Sequence, residues 1–132
     1  MRMSKAKEKV RPIVFKGEGD FEGREFTLDF TRKTVVKTER AGLNVNAMDS
    51  QPMTMIYLMF WGAFLSHHPR MTQEQTDKIL DEQFGGIEGL SGIKNADGET
   101  LIEHLGKLYA APFSTLAPDE EEENPPKVAV QF

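Results

Sequence analysis

Met53-Thr54-Met55-Ile56-Tyr57-Leu58-Met59-Phe60-Trp61-Gly62-Ala63-Phe64-Leu65 is the most apolar stretch of the chain. Its spacing predicts a helix, with Ser50 as the cap and Pro52 in the first turn, where a missing amide hydrogen costs little. Pro69 is expected to end it after His67 and His68. Met53, Met55, Ile56, Leu58, Met59, Phe60, Trp61, Ala63, Phe64 and Leu65 crowd this helix on nearly every side. A helix that is apolar all round is either central to its own domain or covered by a partner. At this length it is too short to cross a bilayer.

Upstream, Phe26, Leu28 and Phe30 alternate with Glu25, Thr27 and Asp29, the period-two pattern of a strand with one buried face. Ile13, Val14 and Phe15 suggest a partner strand. The intervening Lys16–Gly23 is rich in turn residues, so the two read as a β-hairpin with a long tip. Thr31 caps a helix reaching to about Ala41, with Gly42 as its stop and a narrow buried stripe of Val35, Val36 and Ala41. Downstream, Thr72 and Gln75 form a capping-box pair for a helix that buries Ile79, Leu80 and Phe84 and stops at Gly85-Gly86. Gly86–Asn95 reads as irregular. Asp97 is expected to cap a last helix in which Leu101, Leu105 and Leu108 share a face with Ile102 and Tyr109, closed by Pro112.

The fold class is therefore α+β: an N-terminal hairpin followed by a bundle of about four helices. The expected core is Met55, Leu58, Met59, Phe64, Ile79, Leu80, Leu101, Leu105 and Leu108. One domain, residues 12–116, lies between a disordered basic start (1–11) and an acidic extended tail (117–132). Within that tail, Val128, Val130 and Phe132 alternate around Ala129 and Gln131, as in a short strand or a docking peptide. The length of 132 residues suits one domain. Absence of cysteine excludes a disulfide framework and a thiolate zinc site. A net charge of −5 argues against general nucleic-acid binding. The basic start runs into Pro12 and not into a long apolar core, so it does not read as a secretory signal. A reducing, cytosolic setting and no membrane association are expected.

No chemistry-bearing pattern emerges. His67 and His68 are neighbours and point about 100° apart on a helix, no H-x-x-x-H spacing exists, and His104 is remote. Positive side chains near a helix C-terminus suit its dipole, which accounts for the pair without a metal. Ser66, Ser91 and Ser114 lie in no nucleophile elbow. Gly85-Gly86 and Gly89–Gly92 lack the lysine and hydroxyl residue of a phosphate loop. Asp97-Gly98-Glu99 lacks the alternating oxygens of a calcium loop. The sequence thus predicts a non-enzyme without cofactor or metal. The methionines point to protein binding, because methionine adapts to varied partner shapes. The candidate partner-binding residues are Met53, Met55, Met59, Phe60, Trp61 and Phe64; the competing reading is that this helix is core alone.

Four stretches carry a family resemblance: Phe26-Thr-Leu-Asp-Phe-Thr-Arg-Lys-Thr-Val35, Gln51-Pro-Met-Thr-Met55, Trp61-Gly-Ala-Phe-Leu-Ser-His-His68 and Leu101-Ile-Glu-His-Leu-Gly-Lys-Leu-Tyr109. Together they resemble a family of small proteins from the tail-gene clusters of tailed bacteriophages and prophages of Gram-positive bacteria. The order of hairpin, helix, apolar helix, short helices and acidic end is similar too. The glycine-rich hairpin tip and the basic start depart from the usual pattern. The resemblance implies a tail assembly chaperone that binds the tape-measure protein while the tail tube polymerises, acts in the host bacterial cytoplasm and is absent from the finished particle. It supplies no catalytic residues. The alternative is a structural virion component, such as a tail-terminator or connector-like subunit. A second copy of this chain is a further candidate partner.

Overall fold

The computed structural model describes residues 10–115. The hairpin forms as the alternation requires: β1 (Ile13–Lys16) pairs antiparallel with β2 (Glu25–Leu28), with Phe15 opposite Phe26 and Ile13 opposite Leu28. Phe26, Leu28 and the following Phe30 are buried. The tip is long but tied down, since Gln83 grips Glu18 twice. Its Oε1 accepts from the Glu18 amide at 2.8 Å, and its Nε2 donates to the Glu18 carbonyl at 3.0 Å.

Five α-helices follow among the described residues: α1 (Arg32–Arg40), α2 (Pro52–Phe64), α3 (Gln73–Phe84), α4 (Ile87–Gly92) and α5 (Leu101–Ala110). Helix α1 starts at Thr31, whose hydroxyl accepts from the Thr34 amide, and stops before Gly42 at φ 125°. Its buried stripe differs from expectation. Val35 is buried, but Val36 is 43% exposed and Ala41 is exposed; the other buried positions are Thr34 and Thr38. The reason is the close crossing of α1 and α2. A Cβ on Gly62 would overlap the Thr38 side chain, so the crossing takes a threonine that can return its hydroxyl to the Thr34 carbonyl, at 2.7 Å.

Helix α2 is central. It packs against α1, α3, α5 and β2, which uses its all-round apolar character. Two boundary expectations are corrected. Gln51, not Ser50, occupies the cap position, with no side-chain cap; the Ser50 hydroxyl turns back to the Ala47 carbonyl at 3.3 Å. The helix ends at Phe64, and a turn carries the chain through His67.

Helix α3 begins with the expected Thr72–Gln75 capping box and ends on Gly85 in the left-handed region, φ 74°. The glycine-rich segment after it is not irregular: Ile87–Gly92 forms α4 and buries Leu90. Gly89 is required there because a Cβ would run into the Phe84 carbonyl. Thr100, not Asp97, caps α5, in a capping box with Glu103. All the expected core residues are buried except Leu101, which is half-buried. The acidic tail assigned to 117–132 lies outside the described residues, as does the basic start except for its last two positions. Val10 packs against the core and the Arg11 carbonyl is hydrogen-bonded to α5.

Candidate functional site

The six candidate binding residues all lie on α2, and the helix turns them in different directions. Met55, Met59, Phe60 and Phe64 are buried in the domain's own core, at 4%, 6%, 1% and 0% exposure. Phe64 meets Phe15, Phe26, Phe60 and His68 in edge or tilted ring contacts, a geometry that favours aromatic pairs. Trp61 is half-buried and donates its indole N–H to the Met71 carbonyl at 3.0 Å. Met53, in the first turn, is 62% exposed. The methionine-rich helix is thus a core element over most of its length, with one apolar end in solvent.

The loop before α2 carries a further exposed apolar residue. Val45, on a short helical turn that packs against α2, is 50% exposed, and Ala47 and Met48 beside it are half-buried. The loop is fixed by the Asn44 amide, 3.3 Å from the Met55 sulfur, and by the Asn44 side chain, which accepts from the Asn46 amide at 2.9 Å. Val45 is therefore carried on a braced loop and Met53 on the first turn of α2, and methionine supplies the adaptable element.

The histidines do structural work. His68 Nε2 accepts from the Thr27 amide at 3.1 Å, which closes the outer edge of β2, and its ring lies against Phe26 and Phe64. Burial, with His67 and Arg24 nearby, lowers its pKa. It is therefore a neutral acceptor and not the dipole-stabilised cation that its place near a helix end suggested. His104 bridges two segments. Its Nε2 donates to the Arg11 carbonyl, 2.6 Å away, and its Nδ1 lies 2.8 Å from Glu99 Oε1. Glu99 also takes Lys107 at 2.6 Å and the Asn95 side chain at 3.0 Å. Lys107 first, then His104 and Asn95, hold the Glu99 carboxyl down to about 2.

Two further polar pairs brace the helices: Tyr57 donates to Asp81 and Tyr109 to Glu39, each at 2.8 Å, and both phenol pKa values are raised. For Tyr57 the bond to Asp81 is the main cause; for Tyr109 burial leads. Among the described residues no group of three or more histidines and carboxylates converges on a metal position. No described helix is long and apolar enough to cross a membrane. These contacts link residues 41, 65 and 93 positions apart, so no local motif announces them.

The chain belongs to the family described as a domain of unknown function, DUF5055, whose model matches residues 3–132. No curated protein and no solved structure matches the sequence.

Proposed function

We propose that the protein is a tail assembly chaperone of a tailed bacteriophage, which binds the tape-measure protein in the host cytoplasm without catalysing a reaction. The observation that carries this reading is the placement of the resembling stretches. Gln51–Met55 opens α2 and Trp61–His68 covers its last turn and the turn after it, and the first of them presents Met53 to solvent at 62% exposure. An assembly chaperone must cover an apolar, helical client without a fixed lock-and-key surface, and flexible thioether side chains suit that task. The net charge of −5 favours solubility of such a complex.

The surface is smaller than the sequence suggested. Met55, Met59, Phe60 and Phe64 serve the core, so binding starts from Met53 and Val45, with Trp61 at the margin. Mass spectrometry of purified phage particles tests the assignment. A chaperone is missing from them. A stoichiometric presence makes the protein a structural subunit such as a tail terminator and overturns the proposal.

A further inference from the structure

Among the described residues, the hairpin has one closed edge and one open edge. Gly17 donates to the Arg24 carbonyl at 2.8 Å. In an antiparallel ladder hydrogen-bonded pairs alternate, so the bonded pairs continue through Phe15–Phe26 and Ile13–Leu28. The N–H and C=O groups of Thr27 and Val14 therefore point outward on opposite sides. The β2 side is covered: the Thr27 amide meets His68, the Asp29 amide meets the Ala63 carbonyl at 2.8 Å, and the Asp29 carbonyl takes the Ser66 hydroxyl at 3.2 Å. On the β1 side no described residue partners the backbone of Val14 or Lys16. Ile13 and Phe15 are only half-buried, although their partners Leu28 and Phe26 are fully buried. A groove of about 640 Å³ runs beside this strand, between Phe15 and the tip on one wall and Phe84 at the end of α3 on the other.

We propose that Val128–Phe132 of the same molecule adds to β1 as the third strand of the sheet. The segment has the required pattern. In a strand, alternate side chains share a face, so Val128, Val130 and Phe132 would lie together over Ile13, Phe15 and the groove. Ala129 and Gln131 would then stand beside Val14 and Lys16. The connection reaches: residues 116–127 span roughly 40 Å when extended. The Arg11 carbonyl sits on His104, eleven residues before Thr115, so the path back along α5 to Val14 is roughly 35 Å at most. Arg11 and Lys16, both exposed and on either side of Val14 along the chain, carry the charge opposite to Asp119–Glu123. The family match also runs through the segment to Phe132. Adding a strand satisfies the outward backbone groups of Val14 and Lys16 and covers an edge of the kind that invites association with other chains.

The test uses the full chain. Amide hydrogen exchange of Val14 and Lys16 is compared between the wild type and the double variant Val128→Asp/Val130→Asp. The wild-type amides should be protected on the order of a hundredfold more than those of the variant. Because the chain has no cysteine, Val14→Cys can be paired with Ala129→Cys or Gln131→Cys without background. One pairing should form a disulfide within a monomer, as strand neighbours permit. Equal exchange in wild type and variant overturns the proposal. So do cross-links that form only between two chains, which would make the occupant a second copy. If the aspartate variant fails to fold, the cross-link decides alone.

Discussion

Replacing Gly62 with alanine should destabilise the domain, although alanine is the better helix former. The propensity gain is about 1 kcal/mol for a glycine inside a helix. Against it stands the α1–α2 crossing, where the new methyl would overlap Thr38 Oγ1 and come within 2.7 Å of Cγ2 and 2.9 Å of Cβ. Thr38 cannot swing away cheaply: it is fully buried, and its hydroxyl is bound to the Thr34 carbonyl. Overpacking costs about 1–3 kcal/mol, and loss of that hydrogen bond adds about 1 kcal/mol. The net expectation is a loss of about 1–3 kcal/mol, read as a lower midpoint in urea by circular dichroism. For a domain of roughly this length that is a fall in Tm of about 4–8 °C per kcal/mol. The double variant Thr38→Ala/Gly62→Ala should recover part of the loss relative to the sum of the single variants, since the two sites touch. A Gly62→Ala protein as stable as the wild type, or more so, would refute the close crossing.

Leu105→Ala, at 1% exposure, should cost about 2–5 kcal/mol in the same unfolding assay. The lowered pKa of His68 makes its neutral form the one the fold prefers. The associated stability is therefore present above the ordinary imidazole value of about 6.5 and is lost as pH falls through the lower folded value. Denaturation midpoints measured across that range should drop towards acid pH, and His68→Gln should flatten the slope. The Glu99 carboxyl, held down to about 2, contributes stability that is present above the ordinary carboxylate range and disappears as pH falls towards 2. Glu99→Gln should lower the midpoint at neutral pH and remove its share of the acid dependence.

The hairpin, four helices and nearly all of the core were legible because period-two and helical patterns are local. The Phe26-Thr-Leu-Asp-Phe30 alternation and the Thr72–Gln75 capping box each lie within five residues. The misreadings have specific physical causes. Helix α4 is hidden in the sequence because glycine is a poor helix former, whereas here Gly89 is needed for the close approach to the Phe84 carbonyl and Leu90 anchors the turn in the core. Asp97 resembles the cap of α5 in sequence, but the turn that holds it is organised by Asn95, whose side chain accepts from the Asp97 and Glu99 amides, and the capping box falls to Thr100 with Glu103. Around the candidate site the sequence located the helix but not its burial. An all-apolar helix looks the same whether a client or its own domain covers it, and only packing against α1, α3, α5 and β2 separates Met53 from Met55, Met59, Phe60 and Phe64. The edge role of His68 depends on Thr27, which no spacing rule connects to it.

The central claim is that the exposed end of α2 holds an apolar tail protein during assembly. Co-expression of this chain with the tape-measure protein, with the soluble fraction of the latter measured, tests it most directly. The wild type should keep the tape-measure protein soluble. Met53→Asp should abolish this while the circular dichroism spectrum and Tm of the chain stay nearly unchanged, because the side chain is exposed. A tape-measure protein that is equally soluble with Met53→Asp, or equally insoluble with the wild type as without it, would contradict the account.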